Sequence, residues 1–292
     1  MAFAHTYSIV ARCPVTGELG VAVQSHWFAV GTLVPWIEAG VGAVATQSFV
    51  EPRFGVDGLA AMRDGASASD ALDKLIAADG GRDVRQVGIV DGSGRAAAWT
   101  GSRCVAAAGH HIGDGFCVQA NMMTSDRVWP AMAEAFERTS GDLVTRLLAT
   151  LDAAESAGGD ARGKQSAAVL VARSQSTGKP WVDRLFDLRV DDSADPLFEL
   201  RRLVTLQRAY NHMNAGDLAM ENKDITGALA AYSAAERLCP DSAEMVFWHS
   251  VALFNAGQTD EGRATLDRCY AMDARWQEMT PRIVAAGIFV NG

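Results

Sequence analysis

Residue 6 is a threonine at the head of Thr6-Tyr-Ser-Ile-Val-Ala-Arg12, a run with the composition of a buried strand. A threonine placed there behind a short leader can act as a nucleophile once its own α-amine is free. That amine has a pKa of about 7.7–8.0 and takes the hydroxyl proton near neutral pH. Here the chemistry requires cleavage between His5 and Thr6; without it Thr6 is an ordinary strand residue. Ser25 and His26 end the next run, and pairing Arg12 near Gly20 would set Thr6 opposite His26. His26 then either assists an oxyanion or the nucleophile, or is a hydrogen-bonded histidine at a strand end. Gln119-Ala-Asn121 puts amides into an apolar run, and Gln47 does the same in another. Asn121 is either an oxyanion donor or a structural amide with a buried partner, and Gln47 carries the same alternatives.

Gly158-Gly-Asp-Ala-Arg-Gly-Lys-Gln-Ser166 is a glycine-rich loop feeding a strand. It either presents backbone N–H groups and the side chains of Asp160, Arg162 and Gln165 to a polar substrate, or forms a solvated turn. Its spacing is not that of a nucleotide-binding P-loop. His110 and His111 fall on opposite faces of a strand and have no third ligand, so no metal site is expected. Cys13, in a Pro-Gly turn, reads as an exposed thiol.

These residues need strands to hold them. Leu19-Gly-Val-Ala-Val-Gln-Ser-His26 pairs with the first run through the turn Cys13–Glu18. Further strands are expected at Val41–Val50, Arg85–Val90, Arg95–Trp99, Cys104–Ala108, Phe116–Met123, Ser166–Ala172 and Leu185–Val190. The turn Asp91-Gly-Ser-Gly94 marks a hairpin. Helices are expected near Gly58–Asp64, Ser67–Ala78, Ser125–Glu137 and Asp142–Ser156. Strand clusters alternating with helix pairs suit two packed sheets with helices outside. Near Asp191–Pro196 the pattern turns helical. Gly227 and Gly262 are 35 residues apart, and Pro240 and Ala274 are 34 apart. That is the period of a tetratricopeptide repeat. The expected domains are residues 1–192 and 193–292. The second buries its apolar face on the first or on another subunit, or uses a concave face to bind a protein partner.

Of the 292 residues, 49% are apolar and 21% charged, enough for a packed core. The net charge of -9 argues against a nucleic-acid binder and against a surface seeking anionic membranes. Five cysteines match no zinc spacing, which suits a reduced, cytoplasmic compartment. The first residues show no signal-peptide pattern. Leu19–Ile37 lacks acidic and basic residues, but Gln24, Ser25, His26, Gly31 and Pro35 interrupt it, so it reads as a strand and loop.

Thr6–Arg12, Thr16-Gly-Glu-Leu-Gly-Val-Ala-Val23, Gly40-Val-Gly-Ala-Val-Ala-Thr-Gln47 and Gly158–Ser166, in that order, resemble the bacterial and archaeal family catalogued as domain of unknown function number 1028. The resemblance covers about residues 5 to 192. It implies an α+β fold, the four-layer αββα sandwich of N-terminal nucleophile hydrolases, here followed by an all-α tetratricopeptide-like domain. It also implies that Thr6 stands at the position of the fold's nucleophile, although many members begin with this threonine directly after Met or a signal peptide and here Ala2 to His5 stand in front of it. The expected activity is hydrolysis of a small amide, imide or ureido C–N bond. Thr6, His26 and Asn121 would be catalytic, and Ser25, Gln47, Asp160, Arg162 and Gln165 would bind substrate, with no cofactor and no metal. The alternative is a non-catalytic sandwich whose helical tail binds a partner or builds a homo-oligomer.

Overall fold

The computed structural model describes residues 2–4 and 6–288. The chain divides into two compact units, residues 1–201 and 202–292.

The first unit contains two antiparallel sheets. One joins β1 (Ala2–Ala4), β4 (Pro35–Glu38), β5 (Gly42–Val50), β6 (Arg85–Asp91) and β7 (Ala96–Thr100). The other runs in the order β11 (Arg184–Val190), β10 (Ser166–Ala172), β3 (Leu19–Ser25), β2 (Thr6–Arg12), β9 (Phe116–Ala120) and β8 (Gly109–Gly113). Helices α1 (Arg53–Arg63) and α2 (Ala68–Ala78) cover the first sheet, and α3 (Val128–Arg138) and α4 (Leu143–Ser156) cover the second. The sheets face each other through β2, β3, β5, β6 and β9. The chain is therefore α+β, with a layered αββα unit ahead of a run of helices. Because helices cover the outer faces, β2, β3 and β10 are buried along nearly their whole length. Gly20 lets α4 approach, since a Cβ there would stand 2.7 Å from Leu147. Local signals fix the helix starts: Ser67 and Asp70 form a capping box on α2, and Asp142 caps α4 through Thr145 N.

The sandwich interior is apolar at one end and polar at the other. Val10, Leu19, Val21, Val23, Ala43 and Val90 form the apolar end. Thr6, Ser8, Ser25, Gln47, Gln86, Gln119 and Asn121, all buried, form the polar end.

The second unit holds most of α6 (Pro196–Glu221), with α7 (Ile225–Leu238), α8 (Ala243–Asn255), α9 (Thr259–Met272) and α10 (Arg275–Ala285). A short α5 (Pro180–Asp183) precedes β11 in the first unit. Starts of α7 and α9 are one 34-residue repeat apart. Met213, Tyr232 and Met245 anchor one core cluster, and Phe247, Phe254 and Cys269 another. No helix among the described residues is long and apolar enough to cross a membrane.

Three expectations shift. The segment Cys104–Ala108 is not a strand; its carbonyls at Val105 and Ala107 accept from Met122 and Met123, and the strand lies at Gly109–Gly113. Cys13 is buried rather than exposed, because Cys13 N donates to Glu18 O and folds the turn over it. The β2–β3 register pairs Thr6 with Ser25, one residue short of His26. The His5–Thr6 junction lies outside the described residues.

Candidate functional site

Register alone sets a polar row across each sheet at one level. On the second sheet Ser166 pairs with Ser25, and Ser25 with Thr6. Asn121 N donates to Thr6 O at 3.1 Å, extending the row to β9. On the first sheet Gln47 pairs with Gln86, and Gln86 with Thr100. Facing each other, the two rows saturate one another. A low-dielectric interior demands this, since each buried polar atom without a partner costs about 1–3 kcal/mol.

Thr6 is the point on which they converge. Its Oγ1 donates to Ser25 Oγ at 3.0 Å. Its carbonyl accepts from Gln47 Nε2 at 3.0 Å and from Asn121 Nδ2 at 3.4 Å, besides the backbone bond. Those amides also donate to Gln86 Oε1, at 2.7 and 2.8 Å. Gln86 Nε2 then lies 2.9 Å from Ala120 O, 3.1 Å from Gly109 O and 2.9 Å from Thr100 Oγ1. One level deeper, Ser8 Oγ donates to Gln47 Oε1 at 2.6 Å and accepts from Gln119 Nε2 at 3.2 Å.

The glycine-rich loop closes the end of β3. Gly158, Gly159 and Gly163 all adopt positive φ. Asp160 is buried and receives Arg162 at both carboxylate oxygens, Nε at 3.0 Å and Nη2 at 2.7 Å, with His26 N at 3.3 Å. Gln165 N donates to Ser25 O, but the Gln165 side chain turns to Asp192 at 3.1 Å. His26 Nδ1 is sealed from solvent and has no partner, and among the described residues no hydrogen bond joins its ring to Thr6.

The structure thus gathers Thr6, Ser25, Gln47 and Asn121 into one network. Asp160 and Arg162 adjoin it through the His26 backbone, and only the side chain of Gln165 stands apart. Asn121 spends its amide hydrogens on Thr6 O and Gln86, so it positions residue 6. The sequence did not pick out Gln86, Ser8 or Thr100, and it marked His110 only as an unsuitable metal ligand. Only Gln86 carried a signal, an amide inside the apolar run Arg85–Val90. On the outer face of β2, Tyr7 donates to Glu155 at 2.6 Å. Burial, then the Glu155 carboxylate, pushes its phenol well above the usual range. Among the described residues no three His, Cys, Asp or Glu stand together as a metal site.

A model of a family of unknown function, DUF1028, matches residues 6–200. The chain belongs to this family. A crystal structure of the DUF1028 protein SPO2555 from Silicibacter pomeroyi is 33% identical, with a TM-score of 0.62 over 68% of this chain and 84% of that one. No curated protein matches. The DUF1028 region spans both sheets except β1 and holds all the polar-row residues named above, and its match begins at Thr6.

Proposed function

We propose that the polar end of the DUF1028 sandwich is the active site of a hydrolase for a small amide, imide or ureido C–N bond, with Thr6 as nucleophile. One observation carries this reading: amides from both sheets and a serine hydroxyl hold a single buried threonine at the head of a central strand. With the chain opened ahead of Thr6, Thr6 Oγ attacks the carbonyl carbon, and the free α-amine takes the hydroxyl proton and passes it to the leaving nitrogen. Burial favours the neutral amine, the form that acts as base. Water then attacks the acyl–threonine ester and releases the acid, returning the hydroxyl. Ser25 holds Oγ, while Gln47 and Asn121 fix the residue through its carbonyl. Asp160 and Arg162 bind the polar end of the substrate, and His26 completes the site from the adjoining turn. All five cysteines are free thiols, which suits the reducing cytoplasm proposed for it. The test is hydrolysis of a panel of neutral amides and ureido compounds by protein beginning at Thr6. Thr6→Ala should abolish turnover while the protein stays folded, and Thr6→Ser should retain it; equal turnover by Thr6→Ala and the parent would rule out the assignment.

A second reading is favoured by the helical unit. A groove of about 700 Å³ there is lined by Tyr210, Tyr232 and Trp248 with Asp217, Glu221 and Glu244, and no lysine or arginine. Its charge suits a basic peptide segment of a partner. Salt-sensitive binding of a lysine-rich peptide, lost in Glu244→Gln, would support it. A sizing column run at several concentrations tests self-association.

A further inference from the structure

A cavity of about 540 Å³ opens beside the polar row and is lined by Thr100, Ser102, Cys104, His110 and Trp129, with small residues between them. Its volume falls within the range of small-molecule sites. None of the residues that line it carries a fixed charge.

Hydrogen-bond polarity can be followed into it from Thr6. The carbonyl of Thr6 only accepts, so Gln47 and Asn121 face it with their nitrogens. They donate to Gln86 Oε1, which leaves Gln86 Nε2 towards Ala120 O, Gly109 O and Thr100 Oγ1. An amide nitrogen cannot accept, so the Thr100 hydroxyl keeps its hydrogen free for His110 Nδ1, 2.8 Å away, in the tautomer with Nδ1 as acceptor. His110 then carries its proton on Nε2. Burial, with a smaller contribution from His111, lowers its pKa and keeps the ring neutral. Nε2 makes no hydrogen bond among the described residues and is not sealed from solvent. The chain therefore ends in one unused N–H donor at the cavity. Opposite the start of β8, Trp129 lies so close that a Cβ on Gly109 would stand 2.5 Å from its ring. Cys104 is not a competing nucleophile: its thiol donates to Arg85 O at 3.3 Å, and burial pushes its pKa up.

We infer that this cavity binds a small, neutral, planar molecule through a carbonyl oxygen that accepts from His110 Nε2–H, its flat face against Trp129. No lining side chain offers an ion a counter-charge. The site is distinct from Thr6 chemistry and does not depend on hydrolysis.

Benzamide, benzoate and benzamidinium share one ring and differ in charge, so they serve as probes of the full chain by titration calorimetry and saturation-transfer NMR. Benzamide should bind saturably and the two ions at least about tenfold more weakly. His110→Asn keeps an acceptor for Thr100 but loses the outward donor, and should weaken benzamide about tenfold. His110→Gln restores a nitrogen donor further out and should bind within about threefold of the parent. Trp129→Leu should weaken binding without changing the preference for the neutral probe. Unfolding temperatures of all three variants separate loss of fold from loss of site. Absence of saturable benzamide binding, equal binding of the three probes, or equal behaviour of His110→Asn and the parent would overturn the inference.

Discussion

Gln86→Leu removes the central node of the polar layer while nearly conserving volume. Gln86 is fully buried and accepts from Gln47 Nε2 and Asn121 Nδ2. After substitution both amides keep their hydrogen bonds to Thr6 O and lose Gln86 Oε1, and Gln47 Nε2 keeps only a long contact of 3.5 Å to Gln119 O in its place. Two short amide hydrogen bonds are thus lost from the buried layer, at about 1–3 kcal/mol each. Ala120 O and Gly109 O lose one donor as well. Leucine returns part of this through the apolar surface it buries, about 1–2 kcal/mol. The expected net loss is about 2–4 kcal/mol, among the larger single-site effects. Urea unfolding should show a lower midpoint at unchanged slope for the transition of the first unit. Hydrogen exchange at β2, β6 and β9 assigns the transition to that unit. A change below about 0.5 kcal/mol, or a gain, would refute the claim that the two polar rows depend on each other.

Three further outcomes follow from the same reasoning. Gln24 is buried on the outer face of β3 with both amide atoms unpartnered; Gln24→Met should stabilise by about 1 kcal/mol in chemical denaturation, and a loss would mean the amide is satisfied. Arg162→Ala leaves the buried Asp160 carboxylate without its cation; it should cost about 2–4 kcal/mol and loosen exchange protection at Ser25 and Gln165, and an effect below about 0.5 kcal/mol would refute it. His110 has a lowered pKa in the fold, so the unfolded chain takes the proton first as pH falls below about 6.5. Stability should drop through that window, and His110→Asn should flatten the drop in paired melting curves recorded between neutral and acid pH; parallel curves would contradict it.

Much of the fold was legible because its signals are local. Alternating apolar strands, the Asp91–Gly94 turn and the Ser67 cap act over a few residues, and the 34-residue period marks the helical tail. The site was legible only in part. Thr6, Ser25, Gln47 and Asn121 stand out as polar residues in apolar runs, yet their partnership depends on register between strands far apart in sequence. A one-residue difference in the β2–β3 pairing moved Ser25, not His26, opposite Thr6. Thr100 and His110 look like ordinary loop and strand residues until β7 and β8 meet at the sandwich edge. Gln165 looks like a site residue in its loop, but its amide is captured by Asp192 across the turn.

The most direct measurement is the N-terminal residue of the protein isolated from its own cells, read by intact mass and terminal sequencing. The expected result is a chain beginning at Thr6, with its α-amine free to act as base. A homogeneous, active protein in which Thr6 remains amide-bonded to His5 would contradict the assignment of Thr6 as an N-terminal nucleophile.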